Sequence, residues 1–199
     1  MMKRLNKEGP AVLGAPPSAP RRSAQDLGAV LTAGHRVVDI RPAASYAASH
    51  IPGTINIPFN KSFVTWSGWF LPYDGDFYLV SDDATDATVR AALGELAMIG
   101  LDRCAGWFGA DALATGRASI PQATPGEIAP LLASGQVTVV DVRAADEYAA
   151  GHLVGAVHIP LGRLEERLGE LDLSRPLVMP HMGCLLLWLK GLIKDLKMR

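Results

Sequence analysis

Val37-Val38-Asp39-Ile40-Arg41-Pro42-Ala43-Ala44-Ser45-Tyr46-Ala47-Ala48-Ser49-His50-Ile51-Pro52-Gly53 returns 102 residues later as Val139-Val140-Asp141-Val142-Arg143-Ala144-Ala145-Asp146-Glu147-Tyr148-Ala149-Ala150-Gly151-His152-Leu153-Val154-Gly155. Each copy then reaches Ile-Pro, at Ile57-Pro58 and Ile159-Pro160. Spacing kept without a gap marks two copies of one structural unit, and so long a period indicates a duplicated domain, not a solenoid. In each copy a β-branched run, Val37 to Ile40 or Val137 to Val142, predicts a buried parallel strand. Asp39 and Asp141 are placed to accept backbone N–H groups as the strand turns into a loop. Arg41 and Arg143 are placed to pair with a nearby carboxylate. Tyr46-Ala47-Ala48 and Tyr148-Ala149-Ala150 suit short helices. His50 and His152 come next and read as hydrogen-bonded structural residues. Gly53 and Gly155 turn the chain into a second strand.

Away from the repeat, the elements alternate. Ser23 is an N-cap for a helix to about Ala33, which Gly34 ends. Phe77 to Val80 reads as a strand, Thr88 to Ile99 as a helix and Arg103 to Phe108 as a further strand. In the second half, Thr124, Pro125 and Glu127 spell a capping box opening a helix to Ala133, with Gly135 as its stop. A helix over Leu164 to Leu171 and a strand over Leu177 to Met179 complete the series. Strand–helix alternation of this kind gives α/β architecture with mostly parallel sheets. The expected organisation is a linker or arm over 1–22, rich in Pro and Ala, a first domain over 23–113, a short linker over 114–122 and a second domain over 123–199. Lys61 to Tyr73, with Trp66, Trp69 and Phe70, has no counterpart in the second half and reads as an insertion. Packing into the core is the expected role of those aromatics.

Composition narrows the function. The chain is 49% hydrophobic and 20% charged with a net charge of −1, which offers no broad basic surface for nucleic acid. Two cysteines, Cys104 and Cys184, make no disulfide framework. No apolar run reaches about 18 residues, so no membrane span is expected, and the start is too short in apolar residues for a secretory leader. The expectation is a reduced, cytoplasmic protein. His35, His50, His152, His158 and His181 show no paired ligand spacing, so no metal site and no cofactor is expected. A phosphatase-type C-x5-R motif fails too, because Leu189 and Lys190 stand where the arginine would be.

The repeated phrase, V-V-D-x-R-x-x-x-x-Y-x-x-x-H-x-x-G-x-x-x-I-P, resembles the opening of a rhodanese-homology (sulfurtransferase-like) domain, in both halves and over roughly residues 23 to 180. The resemblance implies two rhodanese-like domains, each a mostly parallel sheet flanked by helices. Its signature residues here are Asp39, Arg41, His50, Gly53, Asp141, Arg143, His152 and Gly155, which mark a fold and not a reaction. Met2 to Pro10 resembles the segment leaving the metallo-hydrolase domain in persulfide dioxygenase–rhodanese fusions, although no H-x-H-x-D-H cluster occurs in this chain.

Such a family implies a nucleophilic cysteine just after the strands Phe77–Val80 and Leu177–Met179, in a loop of the form C-x-x-G-x-R-S. The loop amides and the helix N-terminus beyond it cradle an anion, lower the thiol pKa and stabilise a persulfide. In the first half that place reads Ser81-Asp82-Asp83-Ala84-Thr85-Asp86-Ala87-Thr88. Asp82 or Asp83 stands where the thiol would be, and a carboxylate carries no sulfane sulfur but caps a helix well. Cys104 lies on the later strand and is expected to be a buried, neutral thiol. In the second half Cys184 comes about three residues late, with Met182 and Gly183 as the only loop amides to hold an anion. A helix over Leu185 to Leu196 is expected to start at Cys184, packing on the sheet and leaving an exposed patch.

Domain one continues with a further strand and helix after its loop, whereas the second half stops at Arg199, so its C-terminal part is expected to be incomplete or shifted in frame after Met179. A sheet so left uncovered predicts dimerisation or poor solubility. The residues support two functional expectations. One is a binding or regulatory module of a sulfur-handling metallo-hydrolase, facing small sulfur anions or low-molecular-weight thiols and persulfides. The other is a thiosulfate or persulfide sulfurtransferase with Cys184 as carrier.

Overall fold

A computed structural model describes residues 14–114, 118–181 and 185–188. It divides into two compact units, Met1–Tyr46 with Thr54–Arg117, and Ala47–Gly53 with Ala118–Arg199.

In the first unit, Ser23 accepts a hydrogen bond from the Gln25 N–H and opens a 3-10 turn that runs into α1, Leu27–Thr32. Gly34, at φ +79°, stops it, because only glycine takes that conformation without strain. Strand β1, Arg36–Asp39, leads through α2, Ala43–Ala48, to the two-residue β2, Ile55–Asn56. Helix α3, Phe63–Phe70, precedes β3, Phe77–Val80, and α4, Ala87–Met98, crosses over to β4, Cys104–Phe108. All pairings are parallel, in the order β2-β1-β3-β4. β3 is buried at all four residues, as expected of a strand covered on both faces. Val38, Leu79, Phe63, Phe77 and Leu96 meet in one core. Each such side chain contributes about 1.5–3 kcal/mol by leaving water. Phe63 fixes α3 there, so this insertion is partly core, as its aromatics predict. Trp69, however, stays 61% exposed.

The second unit repeats the plan behind a short strand, β5, Gln122–Ala123. Its expected capping box is present: Thr124 Oγ1 accepts from the Glu127 N–H at 3.4 Å, and Glu127 Oε2 accepts from the Thr124 N–H at 2.7 Å. It opens α5, Pro125–Ala133. Then come β6, Thr138–Asp141, α6, Ala145–Ala150, and β7, Val157–His158. The helix expected over Leu164–Leu171 is broken into 3-10, α and 3-10 turns, with α7 limited to Leu164–Arg167. β8 spans Leu177–His181.

Gln122, the last residue of the stretch expected as a linker over 114–122, belongs to β5. Leu185–Trp188, expected as helix, is a strand, β9, lying antiparallel to β8 and to β5. The sheet order is β5-β9-β8-β6-β7. The physical reason lies in the connector. Three residues separate β8 from β9, whereas a parallel return needs a dozen or so. Short apolar runs such as Leu185-Leu186-Leu187-Trp188 suit either element, and the open edge of β8 decides for strand. No helix among the described residues is long and apolar enough to cross a membrane.

Candidate functional site

The repeated Asp-x-Arg builds a turn. Asp39 Oδ1 accepts from the Arg41 N–H at 3.0 Å, and the Arg41 guanidinium folds back on the same carboxylate at 2.7–3.1 Å. The nearby carboxylate expected for the arginine is thus the aspartate two residues before it. Asp141 and Arg143 repeat this at 2.6–3.1 Å, and Arg143 Nη2 also reaches the Gly151 carbonyl at 2.7 Å. The first pair is buried at 0% and 6% exposure, while Arg143 is 29% exposed. Burial pushes the Asp141 carboxyl up, but hydrogen bonds and charge from Arg143 outweigh it and hold the group below the ordinary carboxylate range. Gly53 and Gly155 take φ of +87° and +90°, as their place in the turn predicts.

The tyrosines tie the next loop. Tyr46 Oη donates to the Thr54 carbonyl at 2.6 Å, and Tyr148 Oη to that of Ala156 at 3.3 Å. Asn56 Nδ2 donates to the Asp39 and Arg41 carbonyls at 2.8 and 3.0 Å. The equivalent His158 places Nε2 2.9 Å from the Arg143 carbonyl, which assigns the proton to Nε2. His152 sets Nδ1 2.9 Å from the Tyr148 carbonyl, and Tyr148 stacks between the rings of His152 and His158, with centroids 3.7 and 4.2 Å away. His50 is buried, and its backbone exchanges two hydrogen bonds with Ala118.

The loop after β3 holds the informative geometry. Ser81 is buried and its Oγ accepts from the Asp83 N–H at 3.1 Å. Asp83 then turns both carboxylate oxygens onto the start of α4. Oδ1 accepts from the Thr85 N–H and hydroxyl at 2.8 and 2.7 Å, and Oδ2 from the Thr88 N–H and hydroxyl at 2.9 and 2.8 Å. The Thr85 hydroxyl, the amides of Thr88 and Thr85 and the Thr88 hydroxyl hold this carboxyl far below the usual carboxylate range. Asp86 takes φ +58° at the helix N-cap and its carboxylate pairs with Arg90. Asp82 is exposed. So Asp83, of the two candidates, occupies the donors that a helix N-terminus offers to an anion. Thr85 and Thr88 were not legible as part of this arrangement from the family pattern; the signal was the carboxylate with hydroxyl residues two and five positions on.

Cys104 lies on β4 with Sγ 3.4 Å from the Gly106 carbonyl, and burial pushes its thiol up to about 11, so it stays neutral at pH 7. Met182, Gly183 and Cys184 lie outside the described residues. The element after Cys184 is the strand β9 and not the expected helix, which removes the helix N-terminus invoked to activate that thiol. Among the described residues no group of three or more His, Cys, Asp or Glu is placed to hold a metal ion.

The rhodanese-like domain model matches residues 23–103 and 124–179, together about two thirds of the chain. The chain belongs to the rhodanese-like domain family. Among its relatives, an HTH-type transcriptional regulator of Mycobacterium tuberculosis is 51% identical over 45 residues, 23% of this chain and 20% of that protein. The thiosulfate:glutathione sulfurtransferase of Homo sapiens is 43% identical over 51 residues, 26% of this chain and 44% of that protein. The chain therefore spans less than half the length of these relatives. A metallo-β-lactamase structure from Staphylococcus aureus aligns with 54% of this chain and 29% of its own, at 31% identity and a TM-score of 0.44. Both rhodanese-like segments contain the Asp-x-Arg turn, at Asp39 and Asp141.

Proposed function

We propose that this chain is a tandem rhodanese-like module of sulfur metabolism whose first unit binds or regulates and transfers no sulfur. The observation that carries this reading is Asp83. The place for a sulfur-carrying thiolate and its anionic cargo holds a fixed carboxylate that already takes four hydrogen bonds from the helix start. A second negative charge there meets repulsion and finds those donors taken. Family membership supports the link to sulfur chemistry. The likeness of Met2 to Pro10 to the segment leaving a metallo-hydrolase domain supports a sulfur-handling hydrolase as the partner, with small sulfur anions, thiols or persulfides as the ligand class. The compartment in this reading is the reducing cytoplasm.

Intact-mass measurement after incubation with thiosulfate or glutathione persulfide tests the proposal, with Cys184→Ser as control. The reading expects no adduct on the folded chain. A cyanide-labile gain of one sulfur, absent from C184S, would make Cys184 the carrier. In that case its thiolate attacks the sulfane sulfur, the donor S–S bond breaks, sulfite or glutathione thiolate leaves with the electron pair, and a persulfide remains. A gain that survives in C184S would assign transfer to Cys104 and overturn the reading of the first unit.

A further inference from the structure

Asp-Gly occurs once in the sequence, at Asp74-Gly75, in the loop between α3 and β3. Both flanks of the pair are anchored. Tyr73 packs against the core of the first unit, and Asp76 accepts from Arg103 Nε and Nη2 at 3.1 and 2.8 Å. The Arg103 carbonyl accepts from the Phe77 N–H at 3.3 Å, at the start of β3. The turn itself calls for glycine, since a Cβ on Gly75 would stand 3.1 Å from Pro72 Cγ. Asp74 is exposed, and none of the described residues hydrogen-bonds its carboxylate or the Gly75 N–H. The carboxylates of Asp83, Asp86 and Asp111 are by contrast held, the first by two amides and two hydroxyls and the others by Arg90 and Arg21. Asp82 and Asp102 are exposed too, but a side chain crowds the nitrogen after each, and the Asp83 N–H is bound to Ser81 Oγ.

We propose that Asp74-Gly75 is a site of spontaneous aspartate isomerisation, and that the product uncouples Asp76 from Arg103. With no side chain on Gly75, its nitrogen has an open approach to Asp74 Cγ. The new C–N bond closes a succinimide ring, and the carboxyl hydroxyl leaves as water with the amide proton. Solvent water then attacks the Asp74 main-chain carbonyl and breaks its bond to the Gly75 nitrogen. The chain now runs through the Asp74 side chain. Its formula is unchanged and nothing is oxidised or reduced, but the main chain is longer by one atom between two anchors. Asp76 shifts off Arg103, and the pairing of β3 with β4, whose register already shifts between Phe77 and Tyr78, loosens at that end.

Incubation of the full chain at neutral pH in heavy-oxygen water tests this, followed by digestion, chromatography and fragment-ion sequencing. The expected result is a second form of the peptide holding Asp74, isomeric at that residue and carrying one heavy oxygen, while the Asp82 and Asp102 peptides stay unlabelled. Asp74→Glu alters an exposed side chain without partners and abolishes the isomer, because glutamate needs a larger ring that closes far more slowly. In the aged protein the Phe77 amide exchanges faster than in fresh protein, and Leu79 is unchanged. Label that enters the urea-unfolded chain but not the folded one would show that the loop keeps Gly75 away from the carboxyl, and the proposal fails. It fails equally if label spreads evenly over Asp74, Asp82 and Asp102. An isomer formed with Phe77 exchange unchanged would overturn the uncoupling of Asp76.

Discussion

The two units run the same phrase into two different continuations. Slot by slot, the first sheet reads residues 20–22, β4, β3, β1, β2, and the second reads β5, β9, β8, β6, β7. The turn at Asp-x-Arg, the tyrosine tie and the positive-φ glycine are kept in both. The slot next to the third strand is filled in both as well, but in opposite directions. β4 is parallel because residues 81–103 carry a helix across the sheet, whereas β9 is antiparallel because residues 182–184 cannot. Sheet position is set by the edge that needs a partner, and direction by connector length. The loop after the third strand therefore runs into a helix whose start Asp83 caps in one unit, and leads into a strand in the other.

Substitutions at matched positions sharpen the comparison. The largest expected effect is at the buried aspartate of the turn. Asp39→Ala removes the carboxylate that the buried Arg41 guanidinium folds onto and costs about 3–5 kcal/mol in denaturant unfolding. Asp141→Ala costs less, because Arg143 is partly solvated. Equal losses would show that the two turns are energetically alike. Next come the helix caps. Thr124→Ala breaks a full capping box and costs about 1 kcal/mol. Ser23→Ala removes one long hydrogen bond at a 3-10 turn, with a loss of a few tenths of a kcal/mol at about the lower end of cap effects. Smallest is His158→Asn, which writes the first repeat's Asn56 into the second. Asn keeps a donor for the Arg143 carbonyl and loses the ring stack on Tyr148, a cost of about 0.5 kcal/mol or a little more. A loss of several kcal/mol would mean that the stack holds the second turn together.

Much of this frame was legible in the sequence, because period and punctuation are local. The strand Phe77–Val80, the helix end at Ala133 and the capping box of Thr124 and Glu127 stand where the residues predict. The strand β9 was not legible, since four apolar residues carry no period and the deciding influence is a distant sheet edge. The docking of Arg21 and Arg22 on the edge of β4 was hidden in a Pro-rich arm, because Trp107 and Gly106 lie some eighty residues away in sequence. At the candidate site, the absence of a cysteine from residues 81–88 was plain in the sequence. That Asp83 and not Asp82 caps the start of the helix depends on the turn at Ser81 and on the two threonine hydroxyls.

The central claim is that Asp83 is a fixed anion in the first unit's loop, and a carboxyl-detected NMR titration of the full chain tests it most directly. A native carboxyl held below its unfolded value of 3.8 contributes stability that is fully present above that value and is lost as the pH falls through the native one. The account predicts that the Asp83 carbon shift stays flat from pH 7 down through the ordinary carboxylate range, with the Thr85 and Thr88 amides protected alongside it. A transition at the ordinary value, with those amides exchanging freely at neutral pH, would contradict it and return the loop to the anions of solution.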